Sequence, residues 1–431
     1  MKQVFLSFLV LLLPMVASAY DIAVENADGV TIYYNYTNNN TELAVTSGGV
    51  NYEYRGNVVI PDEVTYMNRT RKVTSIGENA FYTCYDLTSV TVPNSVISIG
   101  KSAFYKCSDL KSITIPNGIV TIDEGAFGGC SRLTSITIPN SVTFIGKSAF
   151  SGCKKLTTAT ISNNITSIED GLFSGCKNLT SLTIPDKVTF IGNSAFSSCN
   201  SLATVNIPYN VTFIGEYAFS NCSALSSVEI PDYTTSIGEY AFYGCSGLES
   251  LTIGKGITSI GNYAFYGADI PTIVSLIDKP FKIDGTTFSN NTYINATLYV
   301  PAGSIDKYKE TEGWKDFLYI EEGTGPNGGG QKCAKPTISV VDGKLSFSCE
   351  TEDVKYHYVI SNNSPASGEG NNVAFSQKYT VSVYASKSGY ENSDTATAEI
   401  NATVGLNGDA NGDGVVDAAD VVKVTNIIMG E

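Results

Sequence analysis

The chain is poor in the side chains that do chemistry. Among 431 residues there is one histidine, His357, and one tryptophan, Trp314. His357 lies in an alternating stretch among tyrosines and reads as an ordinary sheet residue, which leaves no Ser-His or Cys-His engine. Positive charge is scarce too. Lysine and arginine number 27 against 42 acids, a formal charge of −15, which excludes the basic footprint that nucleic acid needs. No metalloprotease motif is present. Gly323-x-Gly325-x-x-Gly328 imitates a dinucleotide fingerprint, but Pro326 interrupts it and no helix-forming run follows. No acidic pair stands out in a cleft-forming context. The balance points away from catalysis.

Long apolar runs are also missing, with one exception. Lys2, the apolar stretch Val4 to Leu13 and the small residues Ala17-Ser18-Ala19 form a secretion signal over 1–19. The mature chain is expected to begin near Tyr20. No cysteine follows the cleavage site, which argues against a bacterial lipid anchor. No later stretch is apolar enough to span a membrane. The expectation is an exported protein, secreted or associated with the cell surface.

What is present is periodicity. Cys84, Cys107, Cys130, Cys153, Cys176, Cys199, Cys222 and Cys245 recur every 23 residues. That period belongs to solenoids, because a segment so short encloses no core alone and must stack on its neighbours. One set of columns runs Leu87/Val90/Val92, Leu110/Ile113/Ile115 and onward to Leu248/Leu251/Ile253, and its last three positions alternate like a half-buried strand. A proline usually follows and ends it. A second apolar pair, such as Val142 and Ile145, leads to Ala149-Phe150 and predicts a second short strand with a turn or one-turn helix. Glycine after the isoleucine (Gly77, Gly100, Gly146, Gly192, Gly215, Gly238, Gly261) suggests a positive-φ turn. That column breaks at Asp123 and Glu169, where Gly125 and Gly171 follow two positions later, and a shifted turn is expected there. A ninth unit begins at Ile257, carries Ala268 in place of cysteine and then diverges, as a cap does.

The pattern I-x-x-I-G-x-x-A-F-x-x-C-x-x-L-x-x-[VI]-x-[VI]-P resembles the BspA-like leucine-rich repeats of secreted bacterial proteins, with flanks like those of gut and oral Bacteroidetes. The resemblance implies a horseshoe-like solenoid over 73–268, a β-rich N-terminal cap over 20–72, a C-terminal cap over 269–322 and a role in adhesion or protein binding. In fold class the chain therefore reads as a β-rich leucine-rich-repeat solenoid, then a small all-β sandwich and a short calcium-loop and helix tail.

The eight repeat cysteines share one phase, so their side chains point in parallel into the core. They are expected to be buried free thiols acting as small hydrophobes, not disulfides or zinc ligands. Cys333 and Cys349 bracket two alternating strands joined by Asp342-Gly343, and a hairpin there makes them a disulfide candidate. After a glycine-rich linker over 323–332, residues 333–402 read as a β-sandwich with strands at Lys355–Ile360, Lys378–Tyr384 and Thr395–Ile400. This segment resembles the small module that follows chitobiase-type catalytic domains, which implies a spacer or carbohydrate-associated role.

The tail, 405–431, carries a sharper pattern. Asp409, Asn411, Asp413, Asp417 and Asp420 place oxygen donors at loop positions 1, 3, 5, 9 and 12, with Gly414 at the bend and the Val415 carbonyl at position 7. Such a hard oxygen shell suits calcium. The half-motif resembles one type I dockerin repeat, which implies a cohesin-type partner; a dockerin normally has two repeats, and the departure leaves the alternative that the loop orders the C-terminus.

Two exposed hydroxyl columns run along the principal strands, from Ser89 to Ser250 and from Thr91 to Thr252. They read either as sheet stabilisation or as a polar binding face. Charges after the turn alternate from Glu78 through Lys101, Glu124 and Lys147 to Asp170 and are expected to pair between rungs. Tyr217, Tyr240 and Tyr263 share one column, and Tyr243 and Tyr266 another. They serve as partial core filling or as a binding surface, for protein or for sugar rings. The functional expectation is a non-enzymatic secreted or surface protein that binds an extracellular or host protein, with a glycan as a further option. The alternative is an accessory or scaffold part of a polysaccharide-degrading system, attached through the dockerin-like tail.

Overall fold

The computed structural model describes residues 20–49, 54–325, 334–341, 344–352, 354–362, 375–386 and 396–404. The expected signal segment and the expected calcium loop lie outside the described residues. The chain divides into two units, Met1–Glu322 and Gly323–Glu431.

The first unit is a β-solenoid built from 23-residue turns. Principal strands such as Ser135–Thr137, Thr158–Thr160, Ser181–Thr183 and Thr204–Asn206 pair in parallel, Ser135 with Thr158 and Ser181 with Thr204. Second strands are only two residues long. Phe144–Ile145 pairs with Thr121–Ile122, and Phe190–Ile191 with Ser167–Ile168, always one repeat apart. The arm after them is a pair of turns and contains no helix. Leucine, isoleucine, Ala-Phe and cysteine columns fill the interior, and Phe150, Cys153 and Leu156 are fully buried. The phenylalanines stack ring on ring, at 5.1 Å from Phe104 to Phe127 and 5.3 Å from Phe127 to Phe150. That spacing is close to the separation of neighbouring strands, so one ladder of rings runs the length of the core.

The cysteine column does more than fill space. All eight repeat cysteines are buried free thiols. Seven of them donate to the phenylalanine carbonyl of the preceding rung, from Cys107 to Phe81 at 3.0 Å through Cys245 to Phe219 at 3.2 Å. Each rung is thereby tied to the last by a side-chain bond that a small hydrophobe alone does not supply.

The turn glycines are there for a different reason than expected. None of Gly77, Gly100, Gly146, Gly192, Gly215, Gly238 and Gly261 has a positive φ. A Cβ on any of them would lie no more than 2.8 Å from backbone of the adjoining chain, so close stacking excludes a side chain there. Two left-handed residues occur in every rung: the first two positions later, at Asn79, Ser102, Gly125, Ser148, Gly171, Ser194, Tyr217, Tyr240 and Tyr263, and the second four residues further on, at Thr83, Lys106, Gly129, Gly152, Gly175, Ser198, Asn221, Gly244 and Gly267. Gly125 and Gly171, at φ 62° and 63°, thus mark the common turn and not a shifted one.

Both ends are closed by aromatic packing. Tyr54 covers Phe81 at 4.6 Å and donates its hydroxyl to Thr46 O at 2.8 Å. At the other end the principal sheet continues through Thr272–Ser275, Thr297–Val300 and Tyr319–Glu322. Phe288 extends the phenylalanine ladder, 5.3 Å from Phe265, and Tyr293, Trp314 and Phe317 pack around it.

In the second unit Thr337–Val341 and Lys344–Ser348 pair antiparallel. Lys355–Asn362, Phe375–Ser386 and Ala396–Val404 form a second antiparallel sheet. His357 lies on its first strand, opposite Tyr384. Cys349 Sγ donates to Ala334 O at 3.0 Å. Its expected disulfide partner, Cys333, lies outside the described residues.

Candidate binding edge of the solenoid

The first left-handed position of the rung suits Gly and Asn and is among the least suited to a bulky side chain. Three rungs nonetheless place tyrosine there, at φ 56° for Tyr217 and Tyr240 and 57° for Tyr263. The backbone is held in this conformation by the rung. Tyr217 N donates to Glu239 O, and Tyr240 N to Asn262 O, across the stack. A tyrosine is thus displayed at a fixed angle on each rung.

The side chains are outside the core. Tyr217 and Tyr266 are about two-fifths exposed, at 41% and 40%, and Tyr240, Tyr243 and Tyr263 are half-buried. Core filling is therefore not their role. Tyr217 stacks on Tyr240 at 4.7 Å and 2°, and Tyr240 on Tyr263 at 4.9 Å and 10°. Tyr243 meets Tyr240 edge-on at 5.5 Å, and Tyr266 meets Tyr263 likewise. The faces of Tyr240 are consumed by its neighbours, so the cluster presents ring edges and phenol oxygens outward. A sugar ring, which stacks on an open aromatic face, has none at Tyr240 to lie on. The phenol of Tyr240 is raised above its usual pKa by partial desolvation, then by Tyr217, Tyr263, Glu239 and Tyr243.

The other surface columns are quieter. The expected cross-rung charge pairs form between Lys101 and Glu124 at 2.9 Å and between Lys147 and Asp170 at 2.8 Å. Both are exposed, and pairs of this kind add little stability. The hydroxyl columns point out from the principal strands, as at Ser135, Thr137, Ser181 and Thr183. Hydroxyls at another phase were not anticipated. Thr157 and Thr180 donate to the carbonyl one rung back, at 3.0 and 3.2 Å, and Thr212, Thr235 and Thr258, each just before a second strand, do the same. Their recurrence at the 23-residue interval was the available signal.

Among the described residues no group of three or more His, Cys, Asp or Glu could hold a metal ion. The residues expected to hold calcium, Asp409, Asn411, Asp413, Val415, Asp417 and Asp420, lie outside them. Among those residues no helix is long and apolar enough to cross a membrane.

The rung geometry, the buried Leu-Phe-Cys columns and the two-strand turn can now be set against known proteins. The description of BspA type leucine-rich repeat regions matches residues 61–180 and 166–295, more than half of the chain. The chain belongs to this family. Similar solved structures include bacterial leucine-rich repeat proteins. A leucine-rich repeat protein from Bacteroides ovatus is 24% identical, covering 70% of this chain and 90% of its own, with a TM-score of 0.48. A leucine rich cell surface protein from Faecalibacterium prausnitzii is 25% identical over 68% of this chain and 98% of its own, with a TM-score of 0.37. The pneumococcal vaccine antigen PcpA is 18% identical over 71% of this chain and 99% of its own, with a TM-score of 0.42. No curated protein matches the chain.

Proposed function

We propose that this BspA-type repeat protein is a non-enzymatic, exported binding protein that recognises a protein partner outside the cell through the tyrosine edge of its solenoid. One observation carries the reading. Three consecutive rungs hold tyrosine at φ 56–57°, where the six preceding rungs have Asn, Ser or Gly. Backbone strain kept in place against an easier residue points to use of the side chain. Tyrosine brings large contact area with few rotatable bonds, which suits interfaces.

The test is binding of the mature protein to an array of extracellular-matrix proteins and glycans, beside the variant Y217S/Y240S/Y263S. Serine already occupies this turn at Ser102, Ser148 and Ser194, so the variant is expected to fold. Loss of the captured protein by the variant supports the edge, and equal capture by both removes it.

A second reading rests on the tail. Oxygen donors from Asp409 to Asp420 in loop register favour a calcium-binding half-dockerin, which would attach the protein to a cohesin-bearing polysaccharide-degrading system. Calcium titration of the full chain, read by calorimetry against Asp409→Ala/Asp413→Ala, tests the loop. A cohesin pull-down tests the attachment.

A further inference from the structure

The solenoid is polarised in charge along its axis. Residues 101–187 carry nine Lys or Arg and six Asp or Glu. Residues 188–254, the next three rungs, carry five acids and no Lys, Arg or His at all. The acids are Glu216, Glu229, Asp232, Glu239 and Glu249, and all but the half-buried Asp232 are exposed. The cation that pairs with Asp232 is Lys255, from the following rung. Glu216 and Glu239 immediately precede Tyr217 and Tyr240 in the same turn. Two carboxylates and two phenols therefore face outward from adjacent rungs.

The chemistry of this edge is one-sided. Its carboxylates only accept hydrogen bonds, and the ring faces of Tyr240 are covered, leaving edges and oxygens. The complementary group has many donors, no acceptor and a positive charge, which describes guanidinium best and ammonium next. The ladder from Tyr217 to Tyr263 spans roughly 10 Å, the reach of about three residues of extended chain. We propose that the tyrosine edge takes an extended, arginine- or lysine-bearing polypeptide segment, with Glu216 and Glu239 selecting its charge. The proposal rests on the reading of this edge as a protein-binding surface, and deepens it by naming the partner's chemistry.

Fluorescence anisotropy of labelled nona-arginine against the full chain at near-physiological salt tests it. A protein this acidic attracts any polycation, so a charge-matched control is needed. E216Q/E239Q is expected to weaken binding about tenfold. E63Q/E310Q, which removes the same charge at exposed sites elsewhere, is expected to weaken it less than twofold. Y217S/Y240S/Y263S should weaken it as much as the first pair does. Equal losses in the two glutamate pairs, or none in either, would overturn the assignment of a cationic segment. If Y217S/Y240S/Y263S still loses the protein captured on the array, the edge stands and only its charge preference falls. If that variant loses neither ligand, both readings fall together.

Discussion

At the scale of the residue, the cysteine is the most informative part of the rung. Its thiol satisfies a phenylalanine carbonyl that also accepts the cysteine N–H of its own rung, as Phe127 O does from Cys130 N at 3.1 Å and Cys153 Sγ at 3.3 Å. Burial pushes the thiols of Cys130, Cys199 and Cys222 well above their ordinary pKa, and that of Cys245 up to about 12. The folded thiol therefore keeps its proton at pH values where the unfolded chain, with an ordinary thiol near 9.0, has released it. Below pH 9 this contribution is whole, and it is lost as pH climbs from 9 toward 12. Each such thiol adds a slope of about 1.4 kcal/mol per pH unit in that window. The urea midpoint is expected to hold steady from pH 7 to about 8.5 and to fall steeply by pH 10.5. Replacing Cys130, Cys199 and Cys222 with Ala should flatten the fall. A midpoint insensitive to pH in that range would mean that the thiols ionise in the folded state. In native buffer the eight should resist maleimide, and in denaturant mass spectrometry should find all of them labelled.

At the scale of the element, the rung separates residues chosen for packing from residues chosen for display. Gly146 lies against the backbone of the rung below, where an added Cβ has no room. Gly146→Ala should cost ~1–3 kcal/mol, because backbone cannot move aside as a side chain can. Phe150→Ala should cost ~3–5 kcal/mol and Leu156→Ala ~2–5 kcal/mol, since the rungs on both sides hold the cavity open. Each tyrosine-to-serine change at 217, 240 or 263 should cost no more than ~1.5 kcal/mol, the worth of a lost ring contact offset by relief at the turn. Thermal melts of the single variants check this ordering, and a tyrosine variant as damaging as Phe150→Ala would make the ladder structural. These residues also show what was legible beforehand. The stack, the buried thiols and the charge pairs follow from column identity, because one interaction repeated many times leaves one mark per period. The location of the first left-handed residue was hidden. Gly146 and its equivalents look like turn glycines, whereas the residue that bends is by turns Asn, Ser, Gly and Tyr and so shows no column. The continuation of the principal sheet past Ala268 was hidden for a related reason. Its register steps become 22, 25 and 22 residues, and a search for a period of 23 passes over them.

At the scale of the whole solenoid, contacts run between neighbouring rungs, so stability accumulates rung by rung and the two aromatic ends close what the repeats leave open. A structure of this kind tolerates loss of a whole unit and not of a fraction. Removing Val188–Asn210 takes out one uncharged rung that carries no member of the tyrosine ladder. The flanking rungs can then meet in phase, with Phe173 and Phe219 joining as adjacent rings do now at 5.1–5.8 Å. The shortened protein should fold, melt a few degrees lower and bind nona-arginine as the intact chain does, since Tyr217, Glu239, Tyr240 and Tyr263 keep their mutual contacts and Glu216, which loses Asn193 and Ser194, meets the equivalent Asp170 and Gly171 of the rung before. Removing only 188–199, about half a rung, should abolish cooperative melting, because it sets the leucine column of one rung over the turn of the next. Circular dichroism melts of the two deletions, beside anisotropy with the same peptide, separate the cases. Equal disruption by both would mean that the solenoid folds as an indivisible whole, and a full-rung deletion that folds but no longer binds would place part of the contact surface within Val188–Asn210.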